Sequence, residues 1–539
     1  MNRHSTRSVR IVFVLLLLLS ACGGAPLATE TTSSEMCGTP NADEARALEE
    51  ASRRLVHEPL PGMRLVARSS TSPVLDVRIV FDAGSADDPV GKEGLTYLTA
   101  HLMAEGAAGE LTYAAREAAL FPMAASIDVE VDRDQTVFIG RVHRDHVERY
   151  LALLLDVLVR PQLLPADLER VREQQKSALL LGLRGSDDEA LGKEVLAAML
   201  YEGHPYGHPE LGTERGLAAI TRDDVVAQRG RVFCGGRATL GFANTEPFFD
   251  TRLGGDFAGQ IRSLGEGTCE GRIALPEVAH REPRIWIVEK AEAASTAVSM
   301  GMPIDLTRAG ADYPALLLAS VYFGQHRQFA GRLMQKMRGD RGLNYGDYAY
   351  AEHFVQEGWS GFPRANASRR AQYFSMWLRP VPHEKAHFAI RMAVRELRDF
   401  VARGMTPEDF TRIREFASQY FGLYLQTDSR RLGFAIDDRF YGQQDEWLAR
   451  VRAAWASLSA ADVNAAIARH VDPSRLEIAV VTSDAAALRE ALASERPSPI
   501  TYQAPPSEAV LTEDRDIIPY RIGIPAARIT VVPLAATFR

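Results

Sequence analysis

RLVARSSTSPVLDVRIVFDAGSADD (residues 64–88) contains two runs of β-strand character around a polar turn. GLTYLTAHLMAEGA (residues 94–107) follows with helical spacing of its apolar residues. Residues 124–142 alternate like a second pair of strands, and RATLGFAN (237–244) predicts one more strand. This part of the chain therefore predicts a mainly antiparallel sheet packed with helices.

The same order of elements recurs further along the chain. RIWIVEKAEAASTAVSMGMP (284–303) again predicts two strands around a turn, and residues 312–324 again predict a helix. A strand at 370–381, a helix at about 383–403 and a closing strand in LEIAVVTSD (476–484) complete the second set. The repetition predicts an α+β protein made of two homologous halves by duplication. We place the halves at 51–270 and 271–490, with an extended C-terminal tail at 491–539 that docks on a neighbour.

Residues 1–21 have the pattern of a secretory signal, with three arginines before an apolar run that is too short to span a bilayer. The ending Leu-Ser-Ala before Cys22 resembles a bacterial lipoprotein box, which implies cleavage there and a lipid on the Cys22 thiol. Gly23 in the next position favours the outer membrane in such lipoproteins. Residues 22–50 are rich in small polar residues and predict a flexible tether. We expect a lipid-anchored protein at the periplasmic face of the outer membrane.

The composition limits the classes of partner. The formal net charge is −8, which argues against nucleic acid as the main partner. Beyond Cys22 the chain has Cys37, Cys234 and Cys269. Two of these could pair in an exported protein, with Cys234 and Cys269 as one candidate pair. Their spacing matches no zinc-finger pattern.

The order of elements and several short motifs resemble the zinc metallopeptidases of the pitrilysin, insulinase and mitochondrial processing peptidase family, over residues 55–500. In that family the helix after the first strand pair carries His-x-x-Glu-His. Its two histidines bind zinc, its glutamate activates a water molecule, and a more distant glutamate completes the site. Two ligands on one helix need about one turn between them.

The resemblance implies that this site is degenerate. With the register set by Gly94, the four family positions fall in chain order on Tyr97, Ala100, His101 and Ala178. Glu173 is the closest acid to the last position and lies more than one helical turn away. A lone imidazole cannot hold zinc tightly, and no base is left to deprotonate water. We therefore expect no metal in this chain and a structural role for His101, with Glu105 as a weak second ligand at most.

RLMQKMRGDRGLNYGDYAY (332–350) matches a second motif of the family. The resemblance implies that Arg338 and Tyr345 reach into the substrate cavity, hold the substrate backbone and help to stabilise the oxyanion. The plain structural interpretation is a surface arginine and a packed tyrosine. The strand near Ile127–Val131 corresponds to the edge at which peptide substrates add as an extra strand.

A lost zinc site beside a retained Arg–Tyr pair resembles one subunit of the family's two-chain enzymes. The resemblance implies a zinc-bearing paralogous partner, an unfolded peptide as substrate, and hydrolysis only when both chains are present. An alternative is a peptide-binding or scaffold lipoprotein without hydrolysis.

A rival motif supports a third interpretation. His383-Glu384-Lys385-Ala386-His387 spells His-Glu-x-x-His, a zinc pattern that would make the chain a stand-alone endopeptidase. The motif opens a helix with a continuous apolar stripe, which is typical of a packing helix. Glu396 and Glu408 are both available as a third ligand, and nothing in the sequence singles out either.

Overall fold

The computed structural model describes residues 64–68, 70, 72–244 and 252–539. The predicted signal segment, Cys22, the tether and Cys37 lie outside these residues, so the lipid anchor stays a prediction. Within the described ranges, no helix has the length and apolar character needed to cross a membrane.

The first half forms a five-stranded sheet with the spatial order β1-β5-β2-β4-β3. Its strands are β1 (Arg64–Arg68), β2 (Val74–Phe81), β3 (Ser126–Val131), β4 (Thr136–His143) and β5 (Ala238–Ala243). β1 and β5 are parallel, and the other neighbours are antiparallel. The predicted strands in 64–88 do form, but they do not pair with each other because β5 lies between them.

The second half repeats this topology. Its strands are β6 (Arg284–Glu289), β7 (Thr296–Ile304), β8 (Asp347–Tyr350), β9 (Gln372–Val381), β10 (Glu477–Thr482) and β11 (Ile529–Pro533). Their spatial order is β11-β6-β10-β7-β9-β8. Without β11, this is the order of the first sheet, and the parallel pair β6–β10 matches β1–β5. The predicted α+β fold with two homologous halves is confirmed.

Helices cover both sheets. Those of the first half are α1 (Leu95–Glu105), α2 (Tyr113–Leu120), α3 (Val147–Val159), α4 (Pro165–Ser177), α5 (Asp188–Leu200), α6 (Glu214–Ala219), α7 (Arg222–Val232) and α8 (Arg252–Arg262). Those of the second half are α9 (Tyr313–Gly324), α10 (His383–Arg403), α11 (Pro407–Tyr420), α12 (Asp428–Phe440), α13 (Trp447–Ser457), α14 (Ala460–His470), α15 (Ala485–Ser494) and α16 (Glu508–Ile517). Two π-helical segments, Ala178–Ser186 and Met334–Gly339, interrupt the pattern.

The two halves exchange one helix each. Helix α5 of the first half packs on β7 and β10 of the second sheet, while α12 of the second half packs on β1, β2 and β5 of the first. Gly241 on β5 allows the close approach of α12, because a Cβ there would lie 2.5 Å from Ile436 Cδ1. Each sheet therefore buries one face against a helix of the opposite half.

A buried polar network also joins the halves at the turn between β3 and β4. Arg369 Nε donates to Asp132 Oδ1 at 2.7 Å, and Arg370 Nη2 donates to Asp134 Oδ1 at 2.8 Å. The backbone N–H of Ser368 donates to the side chain of Gln135 at 3.0 Å. The second half thus fixes the tip of the hairpin that carries the edge strand β3.

The C-terminal region is less extended than predicted. It contains helix α16, which Ser507 caps by accepting from the backbone N–H of Val510, and carboxylates of α16 bind cations of the second half. Its extended part, β11, adds to β6 in parallel and so docks on its own half. Cys234 and Cys269 form a disulfide with Cα atoms 5.7 Å apart, which confirms the candidate pair.

Candidate functional site

Helix α1 begins where the family register requires. Its N-cap Gly94 has φ of 100°, and a Cβ there would lie 2.8 Å from Gln175 Nε2, so glycine is needed. Asp88 accepts from the backbone N–H groups of Gly94 and Thr96 at 2.6 and 2.7 Å. Burial raises the pKa of Asp88 to about 6. The helix predicted from Gly94 is confirmed.

The three family positions on α1 lie together, but their donors do not suit zinc. The Tyr97 ring stacks on the His101 ring with centroids 4.0 Å apart and planes inclined by 20°. Burial raises the pKa of Tyr97 to about 12, so its phenol stays protonated at neutral pH and is a poor metal ligand. Ala100 is fully buried and offers no donor atom.

The one imidazole of the site already has a partner. His101 Nδ1 lies 2.8 Å from Glu105 Oε1, and this hydrogen bond, more than any other influence, lowers the pKa of Glu105. Glu105 Oε2 also lies 3.9 Å from Arg170 Nη1. The carboxylate thus serves as the partner of two side chains.

No distal ligand is present at the fourth position. Ala178 begins the π-helical segment, and Glu173 is an exposed residue 3.6 Å from Lys176 Nζ. Across 72–244, 252–539 and the short described stretches before them, no group of three or more His, Cys, Asp or Glu side chains converges as a metal site. The residues present therefore do not fit the zinc ion of the family, and no catalytic step through zinc is derived for this chain.

The structure brings Arg338 and Tyr345 together. Arg338 Nη1 donates to the carbonyl oxygen of Tyr345 at 2.9 Å, and its guanidinium lies 5.6 Å from the Tyr345 ring centroid. Tyr345 is 77% exposed and Phe329, on the other side of Arg338, is 59% exposed. The tyrosine is not packed in the interior, so the plain structural interpretation does not apply to it.

Residues that the sequence did not single out fix this loop. Asn344 Nδ2 donates to Asp347 Oδ1 at 2.7 Å and to the carbonyl oxygen of Arg379 at 2.9 Å. Arg341 binds Glu513 and Asp514 of α16 at 2.8 and 2.9 Å. Nothing in the sequence indicated that Arg341 fixes this loop, because its partners Glu513 and Asp514 lie far along the chain.

The His383–His387 motif forms the start of α10, and its first histidine has structural partners. The ring nitrogens of His383 lie within 3.1 Å of four oxygen atoms, those of the Thr296, Thr482 and Ser483 hydroxyls and the Ala293 carbonyl. His387 is buried, and burial lowers its pKa to about 4. Glu396 contacts Arg332, Lys336 and Arg395 instead of either histidine.

Comparison with known proteins gives one family. Residues 64–213 match the insulinase family of peptidases (peptidase family M16). Cytochrome b-c1 complex subunit 1 of Caenorhabditis elegans is 24% identical over 426 residues, which are 76% of this chain and 84% of that protein. The probable mitochondrial-processing peptidase subunit beta of Schizosaccharomyces pombe is 26% identical over 153 residues, 28% of this chain. The chain spans only 32% of the length of that relative.

Two solved structures share the fold. A peptidase M16 inactive domain from Pseudomonas fluorescens superposes with a TM-score of 0.68 at 19% identity, covering 83% of this chain and 98% of that domain. A protease from Helicobacter pylori superposes with a TM-score of 0.63 at 14% identity, covering 78% of this chain and 97% of that protein. At these identities the likeness concerns the fold alone.

Proposed function

We propose that this chain, whose residues 64–213 match the insulinase family of peptidases, is the zinc-less subunit of a two-chain peptidase. It pairs with a zinc-bearing paralogue and contributes Arg338 and Tyr345 to the binding of an unfolded peptide. The observation that carries the proposal is the stacked pair of Tyr97 and His101, which stands where the family has two metal ligands.

The names of similar proteins support a subunit role. The matched relatives from Caenorhabditis elegans and Schizosaccharomyces pombe are each named as one subunit of a larger assembly. The structural neighbour from Pseudomonas fluorescens is described as an inactive domain. A member of this fold without catalytic activity of its own is thus consistent with the degenerate helix α1.

The proposed contribution of this chain is binding and charge stabilisation. Arg338 donates to a carbonyl oxygen of the bound peptide, and the Tyr345 hydroxyl donates to the scissile oxygen as negative charge develops there. Tyr345 is exposed and Arg338 is half-buried beside it, so both can be reached by a ligand. The zinc ion, which activates the attacking water in this family, belongs to the partner chain.

The edge strand β3 offers a second contact for the peptide. Among the described residues, β3 has a strand neighbour on one side only, β4, so its outer backbone groups can pair with an extended substrate. Backbone pairing depends little on the side chains of the peptide and therefore allows a broad range of peptide sequences to bind. The network of Asp132 and Arg369 holds this edge in place.

Export to the periplasm is part of the same proposal. The disulfide between Cys234 and Cys269 supports an oxidising compartment, because such bonds rarely persist in a reducing cytosol. The lipid on Cys22 would keep the complex at the outer membrane.

Mixing the chain with a paralogue that carries an intact His-x-x-Glu-His tests the proposal. We expect neither cleavage by this chain alone nor inhibition of the partner, but chelator-sensitive hydrolysis of an unstructured peptide by the mixture that exceeds the partner's own rate. Cleavage by this chain in isolation contradicts the proposal. An unchanged rate in the mixture supports the alternative of a peptide-binding lipoprotein without a part in hydrolysis.

A further inference from the structure

A cleft of about 600 Å³ lies between helix α5 of the first half and strands β8 and β9 of the second. One wall is aromatic, because Tyr348, Phe354 and Trp377 belong to a separate buried cluster there. The rest of the lining is mainly polar and charged, with Ala190, Val355 and two further aromatic rings, Trp359 and Tyr373. The cleft is separate from helix α1 and shares none of its family positions.

Lys193 of α5 reaches across to this aromatic wall. Its Nζ lies 3.6 Å from the centroid of the Trp377 ring, which is a short cation–π contact. No carboxylate oxygen of the described residues comes within 4.0 Å of Nζ to form an ion pair. Burial lowers the pKa of Lys193, while the charges of Glu189, Asp187 and Glu194 act in the opposite direction without outweighing it.

The Trp377 indole provides a second donor without a partner. Trp377 is 7% exposed, and its Nε1 finds no hydrogen-bond acceptor among the described residues. Buried donors in folded proteins are nearly always satisfied, so each exception calls for a bound water or ligand as its explanation. Lys193 and Trp377 are in contact, so the two donors belong to the same wall of the cleft.

The acids of the cleft are already engaged. Glu189 accepts from Arg379 at 3.0 Å, Glu194 from Arg133 at 2.7 Å, and Asp187 from the backbone N–H of Ala190 at 2.9 Å. Their charges still act on Lys193, but none of them forms a direct ion pair with it among the described residues.

The mouth of the cleft adds a second cation and an exposed aromatic ring. Within the part of the chain that the structure describes, Arg327 donates to one acceptor, the carbonyl oxygen of Trp359 at 3.3 Å. The side chain of Trp359 is 94% exposed, although a large apolar side chain gains by being covered. Burial lowers the pKa of His326, deeper in the cleft, to about 3, so this imidazole is neutral at physiological pH.

We propose that this cleft binds a peptide carboxylate that neighbours an aromatic side chain. Lys193 supplies the positive charge, the Trp377 N–H supplies a directed donor, and the aromatic wall with Trp359 covers the apolar part of the ligand. The carboxylate is an Asp or Glu side chain or the C-terminus of the peptide. The inference stands apart from the proposed subunit role, because it concerns binding to this chain alone.

Three flexible Gly/Ser decapeptides with N-terminal acetyl groups test the proposal by calorimetry or fluorescence anisotropy. The first contains Phe-Glu and a C-terminal amide, the second Phe-Gln and a free C-terminal carboxylate, and the third Phe-Gln and an amide. We expect at least one carboxylate peptide to bind about tenfold more tightly than the neutral third peptide. The preference for the first or the second peptide identifies the source of the carboxylate.

Variants of the chain assign the preference to the cleft. Lys193→Met keeps the aliphatic stem and is expected to abolish the preference, while Trp377→Phe keeps the ring face and is expected to reduce it. Lys176→Met, on the exposed side of α4, is the matched control and should retain it. Equal binding of the three peptides, an absence of binding at millimolar concentration, or a preference that survives in Lys193→Met overturns the proposal. Circular dichroism verifies that each variant is folded.

Discussion

The phenol ring of Tyr97 lies nearly parallel to the imidazole of His101, one helical turn away, with 4.0 Å between the ring centroids. Two stacked rings thus stand at the two helix positions that carry metal ligands in the insulinase family. The imidazole is further held by Glu105. The helix keeps its position in the fold, while the chemistry of the zinc site is absent from it.

Because the stacked rings leave no zinc site on α1, we expect chelators to have no effect on the stability of the chain. Purified protein should retain far less than one zinc per chain, and a chelator should shift the melting temperature by less than about 1 °C, because a ligand that does not bind the native state cannot stabilise it. Metal analysis and calorimetry measure both quantities. One zinc per chain that is lost in His387→Ala supports the stand-alone endopeptidase, and a zinc that is lost in His101→Ala contradicts the degenerate site.

Tyr345→Phe should lower kcat of the mixed two-chain enzyme about 100-fold, the usual effect of removing one donor to a developing oxyanion. Arg338→Ala should raise KM about tenfold, because it removes a donor to a carbonyl oxygen of the bound peptide. Tyr345→Phe should alter the free energy of unfolding by less than about 0.5 kcal/mol, because this side chain is at the surface. Arg338→Ala should alter it by no more than about 1 kcal/mol, because the half-buried arginine loses one hydrogen bond. Arg403→Ala, at an exposed arginine, is the control and should leave kcat and KM unchanged. Full activity of both variants would exclude a shared site.

Arg369→Ala should destabilise the chain by about 3–5 kcal/mol, the typical cost of leaving one partner of a buried ion pair alone. Both Arg369 and Asp132 are almost fully buried, and their atoms are 2.7 Å apart. Urea unfolding at pH 7 measures the loss. The same substitution should also weaken peptide binding, since it releases the tip of the hairpin that bears β3. A loss of less than 1 kcal/mol would show that the halves do not depend on this pair.

The same pair predicts a dependence of stability on pH. Burial alone would raise the pKa of Asp132, but the charges of Arg369 and His353 outweigh it and hold the pKa well below its usual value. A depressed carboxyl pKa stabilises the native state above the unfolded pKa of about 4, and this stabilisation is lost as the pH falls through the folded pKa. Unfolding measured between pH 7 and pH 2 should therefore show a shallower acid decline in Arg369→Ala than in the wild type.

Reduction of the disulfide should lower the free energy of unfolding by about 3–4 kcal/mol, because Cys234 and Cys269 are separated by 35 residues and their link restricts the unfolded chain. Denaturant unfolding with and without a reductant measures the difference. The Cys234→Ser/Cys269→Ser double variant should behave like the reduced protein and show no further response to the reductant. A reductant effect in that variant would point to Cys22 or Cys37 instead.

The strands and helices were accessible to sequence reasoning because their signals are local. Alternation in β2 and the apolar spacing of α10 each report on a few consecutive residues, and the repeated order of elements indicated the duplication. The position of α1 also followed from Gly94, whose positive φ marks a helix start that only glycine accepts easily.

The exchange of helices between the halves was not accessible in this way. The apolar faces of α5 and α12 show that each helix packs against something, but periodicity does not say which sheet it covers. The anchoring of the loop that carries Arg338 and Tyr345 was not predictable either. Its anchors, Glu513 and Asp514, lie in the region that was predicted to be an extended C-terminal tail. Helix α16 is short, and its Asp514 and Glu513 contact Arg341 and Lys336, which lie far away in the sequence.

Because α5 and α12 each pack on the sheet of the opposite half, neither half has a complete hydrophobic core of its own. Residues 269–283, which connect the duplicates, have no regular secondary structure. A protease that cuts this connection should therefore yield two fragments that remain associated as a non-covalent pair and comigrate on a sizing column. Either fragment produced separately should be insoluble, since one broad face of its sheet would be left bare.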